Sequence, residues 1–270
     1  MCSPVFNWLF YGHFWIALAA TALSWQSTYL NGGEVSLGAP HYFVFFATLG
    51  VYTLHRLLSY RRAGSHPTGR RYRVVAREPA ASVLIGVGSI VVALAIATQL
   101  PLRAFWPVLI ALPFTGFYLI PLYPGGPRLR DLAYLKVVWV ALAWTLITDC
   151  FPIMGSGHDY VEGAIRAAFV LAIALLFDTR DVVLDRRQGV RTLAGNHPKL
   201  NANVALALLV GCAVVSLWHY PLPQGGVLAL AYLAGATIGW ITDARQGEDF
   251  YATWVNGALL LPPFGLWLFL

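Results

Sequence analysis

Sixteen residues, Asp178 to Leu193 (D-T-R-D-V-V-L-D-R-R-Q-G-V-R-T-L), hold the densest chemistry in the chain. Asp178, Asp181 and Asp185 leave the end of an apolar run and pass directly into Arg186, Arg187 and Arg191. At about 100° per residue the three carboxylates fall within roughly a 60° arc of one helix face. Acid at a membrane boundary is costly unless it binds something. A carboxylate face at a helix end can supply oxygen ligands to one magnesium ion, which usually keeps substrate phosphates in its shell. Neighbouring arginines can neutralise the remaining phosphate charge. Departure of a diphosphate from an allylic carbon needs that charge stabilisation above all. The competing reading is a set of surface ion pairs between these acids and Arg180, Arg186 and Arg187.

The elements that must carry this stretch are membrane helices. The 270 residues are 58% hydrophobic and only 11% charged, where a soluble domain would carry roughly a quarter charged residues. Nine apolar segments of about bilayer length appear, near 10–30, 41–59, 80–99, 104–122, 132–152, 163–184, 201–219, 225–242 and 251–269. They predict an all-α, polytopic membrane bundle forming a single integral-membrane domain over 1–270. The first thirty residues lack a basic start and a small-residue cleavage site, so they are read as a retained first helix. Cys2, Cys150 and Cys212 have no metal-ligand spacing and are expected to pack.

Charge sets the expected orientation. With the even-to-odd loops in the cytoplasm, sixteen of the eighteen Lys and Arg face that side and only Arg103 and Arg166 face the other. That bias predicts an N-terminus in and a C-terminus out, in a membrane of the bacterial inner-membrane kind. The net charge of +6 is thereby explained by topology, and no nucleic-acid partner is expected. The acid face and the basic loops 2–3, 4–5 and 6–7 then converge on one mouth of the bundle.

The 178–193 stretch resembles the second aspartate-rich motif of the UbiA superfamily of intramembrane prenyltransferases, and most closely its menaquinone-pathway members. Asp178, Arg180, Asp181, Asp185, Arg186, Gly189, Arg191, Thr192 and Leu193 occupy the matching positions. Tyr123, Pro124 and Arg128 are similar to that family's segment between spans four and five. The nine spans, the N-in orientation and the place at the end of span six agree with it. The resemblance implies a lipid-facing cavity that binds a polyprenyl diphosphate, or another isoprenoid lipid, through magnesium at the cytoplasmic mouth. It also implies transfer of the prenyl group to an aromatic or lipid acceptor. Asp178, Asp181 and Asp185 would be the metal-binding and catalytic residues. Arg56, Arg128, Arg130, Lys136, Arg180, Arg186 and Arg191 would bind substrate.

One part of the pattern is missing. The family's first aspartate motif, of the N-D-x-x-D type, belongs at the end of span two, where residues 51–62 contain no carboxylate. His55 and Arg56 stand there instead. Arg56 could contact phosphate directly, it could belong to a degenerate site, or it could simply snorkel to the interface. A catalytically degenerate lipid-binding protein, or a subunit of a membrane complex, is therefore the alternative function.

Other residues leave further readings open. Lys136, one to two turns into span five, either snorkels or points inward to phosphate. Tyr118 and Tyr134 either line a tail cavity or pack. Asp243, Glu248 and Asp249 either supply a missing carboxylate or form a solvated turn, the safer expectation. Asp149, His158, Asp159 and Glu162 are expected on the opposite side, exposed to solvent. His41 and His55, with His13 and His219, have the depths of a di-haem clamp. Transport is disfavoured because the charges sit at the mouth and not at the midplane.

Overall fold

The computed structural model describes residues 3–62, 69–118, 120–153, 159–187 and 189–270, and every regular element among them is helical. The longer helices are α1 (Phe14–Leu30), α2 (Ala39–Arg62), α3 (Pro79–Ala97), α4 (Trp106–Phe117), α5 (Lys136–Thr145), α6 (Tyr160–Arg187), α7 (Pro198–His219) and α8 (Leu222–Trp240). The C-terminal apolar stretch is broken into Tyr251–Val255, Asn256–Ala258 and Leu261–Trp267. Among the described residues four helices, α3, α6, α7 and α8, are long and apolar enough to cross a membrane by length and composition. The other expected spans fall on stretches that are shorter, interrupted or, for α2, less apolar than these four, so four of the nine meet that criterion.

The interruptions have local causes. Proline cannot donate to the helix ladder and is favoured in the first turn. Pro79, Pro198 and Pro262 sit in such first turns. Span five begins later than expected because Tyr134 adopts a left-handed backbone (φ 63°) just ahead of it. Lys136 is consequently the first residue of α5 and not a residue one to two turns inside it.

Helix α6 is the central element. It packs on α5 and α7 and buries Ile165, Phe169, Ile173 and Leu176 on its apolar face. It is continuous from Tyr160 to Arg187, so the whole acid face rides on one rigid rod. Gly189, at φ 71°, supplies the left-handed residue just beyond it. The Val190 N–H then returns to the Asp185 carbonyl at 2.9 Å, which satisfies an otherwise orphaned acceptor. Arg186 and Arg187 lie in that last turn, where the helix dipole favours cations. Helices α2 and α3 meet closely at Gly50 and Gly86: a Cβ on Gly50 would stand 2.7 Å from the Ile90 side chain. Small residues permit such approaches between membrane helices.

Candidate functional site

At one end of the bundle the second half of α6 faces the start of α5, the end of α2, the short helical segment Arg70–Arg77 and the N-terminal turn. Together they enclose a cavity of about 290 Å³. Five cationic side chains line it, Arg56, Arg71, Arg130, Lys136 and Arg180, against the two carboxylates Asp178 and Asp181.

The acids are not left to solvent. Asp178 and Asp185 are buried, and the Lys136 ammonium sits between them, 2.8 Å from Asp178 Oδ1 and 2.8 Å from Asp185 Oδ2. Arg130 adds a longer ion pair to Asp185 at 3.7 Å. Asp181 turns toward a different set. Arg180 grips it with two bonds, Nε to Oδ1 at 2.9 Å and Nη2 to Oδ2 at 3.0 Å. Arg71 Nη1 donates to the same Oδ1 at 3.2 Å. The three acids that share one helix face therefore divide between two cationic groups. Among the described residues no set of three or more His, Cys, Asp or Glu is placed to hold a metal ion.

The remaining expected substrate-binding residues separate clearly. Arg56 lines the cavity, lies over the Tyr72 ring with 5.5 Å between its guanidinium carbon and the centroid, and has a buried Nε without a hydrogen-bond partner among the described residues. It does not snorkel away. Arg130 lies over the Tyr118 ring at 5.8 Å. Arg128 does not line the cavity: it donates through Nε and Nη2 to Asp131, both at 2.8 Å. Burial alone would raise the Asp131 pKa, but these bonds outweigh it and hold the carboxyl below its ordinary value. Arg186 is exposed and donates to the Gly195 carbonyl at 2.7 Å. Arg191 is exposed as well.

A second cavity of about 500 Å³ adjoins the first. Its walls come from α2, α3, α4 and α5 and are mostly apolar, including Phe43, Ile90, Ala93, Phe105 and Trp139. Tyr52, His55, Tyr118, Val140 and Trp144 line both cavities. Trp144 Nε1 donates to the Tyr52 hydroxyl at 2.9 Å across this shared wall. Tyr118 thus lies at the cavities. Tyr134 does not: it is 46% exposed and its hydroxyl accepts from Asn196.

Several groups at this end could not be read from local sequence. Arg71 Nε donates to Glu248 Oε1 at 3.2 Å, and the Arg71 N–H donates to Glu248 Oε2 at 2.9 Å. Asp249 pairs with Arg70 and accepts from the Tyr11 hydroxyl. The expected solvated turn is therefore tied down, with Glu248 holding Arg71 and Asp249 holding Arg70 and Tyr11, and of these Arg71 and Tyr11 line the cavity. Asp243 alone of that trio is exposed.

The opposite end also differs from expectation. Asp149 and Glu162 are fully buried, each 0% exposed. Ser27 donates to Asp149 at 2.8 Å. Glu162 accepts from Arg166 at 2.8 Å and from the Tyr220 hydroxyl at 2.7 Å. Buried charge persists only when paired and hydrogen-bonded, and these partners supply both. Asp159 is half-buried and pairs with His219 at 2.6 Å. Desolvation would raise its pKa, but the His219 and Val161 hydrogen bonds lower it below the ordinary carboxylate value. His158 lies outside the described residues. The haem clamp loses a ligand here: His41 Nδ1 accepts from the Gly38 N–H at 2.9 Å and its Nε2 meets Thr28 Oγ1 at 3.1 Å.

Two solved structures share this architecture. A UbiA homolog from Archaeoglobus fulgidus bound to GPP and Mg2+ aligns with a TM-score of 0.66 at 14% identity, over 96% of this chain and 99% of that one. A UbiA homolog from the same organism bound to DMAPP and Mg2+ gives 0.64 at 13% identity, over 98% and 100%. The chain has the UbiA fold. No family model and no curated protein matches the sequence itself. Within the UbiA fold, the expected magnesium can be tested against the donors present. They do not fit it: Lys136 holds two of the three carboxylates, Arg180 and Arg71 hold the third, and Arg56 stands where the first acidic motif belongs.

Proposed function

We propose that this chain is a UbiA-superfamily membrane protein that binds an isoprenoid diphosphate and transfers its prenyl group to an aromatic or lipid acceptor. The single observation that carries the proposal is the pairing of cavities. A cation-lined cavity of about 290 Å³ shares a wall with an apolar one of about 500 Å³. An amphiphile with a polyanionic head and a hydrocarbon tail is the ligand that both halves fit. In the transfer, the bond from the allylic carbon to the diphosphate oxygen breaks and its electron pair leaves with the diphosphate. The acceptor forms the new bond to that carbon and gives up a proton. The cationic side chains act on the leaving group, where negative charge grows. The apolar walls keep water from the carbocation.

The same proposal takes the chain to span a bacterial inner membrane nine times, N-terminus in and C-terminus out, with membrane lipid around it. The lopsided distribution of Lys and Arg supports that arrangement. A second reading has its own support. The carboxylate-free stretch at His55 and Arg56 favours a relative that binds an isoprenoid lipid without turnover, as a carrier or as a subunit of a membrane complex.

Titration of the detergent-purified protein with geranyl diphosphate, followed by tryptophan fluorescence, tests the core of the proposal, because Trp144 lies on the shared wall. Saturable binding is expected, with weaker binding of the uncharged alcohol. Absence of binding with and without magnesium would remove the proposal. Binding with diphosphate release on adding membrane lipid extract supports the transferase; binding without release supports the carrier or subunit.

A further inference from the structure

We infer that Lys136 and Arg56 take over the work of divalent cations, so that this site grips its anionic headgroup without a metal ion. The inference rests on the diphosphate-binding function proposed above.

The first observation is the position of Lys136. Its ammonium is 2.8 Å from an oxygen of Asp178 and 2.8 Å from an oxygen of Asp185, two acids about two helical turns apart on α6. Those are the carboxylates a metal would use to bridge to phosphate. An ammonium has three donors. Two are spent on the acids, and because Lys136 also lines the cavity, the third is left for an oxygen within it. A lysine so held is a fixed positive charge on an acidic footing, as a bridging metal would be.

The second observation is Arg56. It stands at the end of α2, where an acidic motif would hold a further cation. Its Nε is buried without a partner among the described residues while the side chain lines the cavity. A buried guanidinium donor left unmade is expensive, and a phosphate oxygen in the cavity is the acceptor suited to it.

The third is the charge of the whole cavity. Its five cations stand among four carboxylates, Asp178 and Asp181 on the wall and Asp185 and Glu248 paired to the lining cations, which leaves one positive charge in excess. A divalent ion would add to an excess of the same sign, whereas a polyanion cancels it. Arg128 does not alter this balance, since Asp131 neutralises it, and the exposed Arg186 does not line the cavity.

The test compares geranyl diphosphate binding to the purified wild type in magnesium and in chelator. Affinity within about threefold in the two conditions is expected, a difference under one tenfold step. Lys136→Met should weaken binding in chelator by roughly tenfold or more, the loss of one charge-assisted bond. The same variant should regain affinity when magnesium is added, because two facing carboxylates are then free to take it. Lys136→Arg keeps the charge and should stay insensitive to the metal, which separates the effect from misfolding. Wild-type binding that appears only with magnesium would overturn the inference while leaving the proposed function intact. No binding in either condition would remove the proposed function, and the inference with it. A Lys136→Met variant that binds like wild type in both conditions would show that Lys136 does not serve the headgroup.

Discussion

Replacing Arg166 with Met should unfasten the end of the bundle opposite the candidate site. Arg166 is 1% exposed and Glu162 is 0% exposed. The Arg166 guanidinium reaches Glu162 at 2.8 Å and Ser27 at 3.0 Å, linking α6 to α1. Removing the cation leaves the Glu162 charge buried, with Asp149 also fully buried at the same end. Breaking a buried pair from one side costs about 3–5 kcal/mol. For a chain of this size each kcal/mol moves the midpoint by roughly 2–4 °C, so a fall of about 10 °C is expected. Thermal unfolding in detergent measures it. The double variant Arg166→Met with Glu162→Gln removes both charges, and Tyr220 can still donate to the amide oxygen. It should be more stable than Arg166→Met alone, with a coupling above about 1 kcal/mol. Geranyl diphosphate affinity should be unchanged in both, because neither residue lines either cavity. An Arg166→Met midpoint within a degree or two of wild type, or a double variant as unstable as the sum of its parts, would refute the argument.

The other predictions concern the site and its surroundings. Arg71→Ala removes the contacts to Asp181 and Glu248 together; it should lower geranyl diphosphate affinity by roughly tenfold and speed proteolysis at residues 69–78. Ala93→Trp fills the apolar cavity, where Ala93 is 3% exposed. Binding of a four-isoprene diphosphate should fall far more than that of the one-isoprene homologue, as measured by competition. Asp131→Asn tests the Arg128 pair. The folded pKa of Asp131 is depressed, so its stabilisation is present above the unfolded value and is lost as pH falls through the lower folded one. The gap between wild type and variant, under about 1 kcal/mol at neutral pH for this partly exposed pair, should close below about pH 4 in urea or thermal titrations.

Some of this molecule was open to reading from its residues alone, and the boundary falls where physics says it should. Apolar runs report burial in lipid whatever their partners, so the membrane class followed from composition. The acid spacing on α6 needed only the helical repeat, and that helix is continuous through all three aspartates. Lys136 was placed too deep in its helix, because the left-handed Tyr134 that delays the start carries no glycine or proline signal. Arg71 was missed as a site residue, and Glu248 was read either as a spare carboxylate or as part of a solvated turn, because their contact joins positions 177 residues apart and no local pattern encodes a pairing between loops. Glu162 and Asp149 were assigned to solvent for the same reason. A lone acid near a span end looks the same whether it meets water or Arg166.

The two ends of the bundle use the same currency of buried charge for different ends. At the Glu162 end each charge has a named partner, with Arg166, Ser27 and Tyr220 closing around two acids. Neither Glu162 nor Arg166 lines either of the two cavities described, and the contacts of that network tie α6 to α1. At the Asp178 end the acids are ion-paired, while the cations lining the cavity outnumber the carboxylates paired with them. A surplus of buried positive charge destabilises a fold unless a counter-charge occupies it. Natural sequences keep such a surplus where binding repays it. The asymmetry agrees with the proposed function, in which one network holds the scaffold and the other receives an anion. It also implies that a bound diphosphate should raise the unfolding midpoint of the wild type more than that of Lys136→Met, by mass action on the folded state.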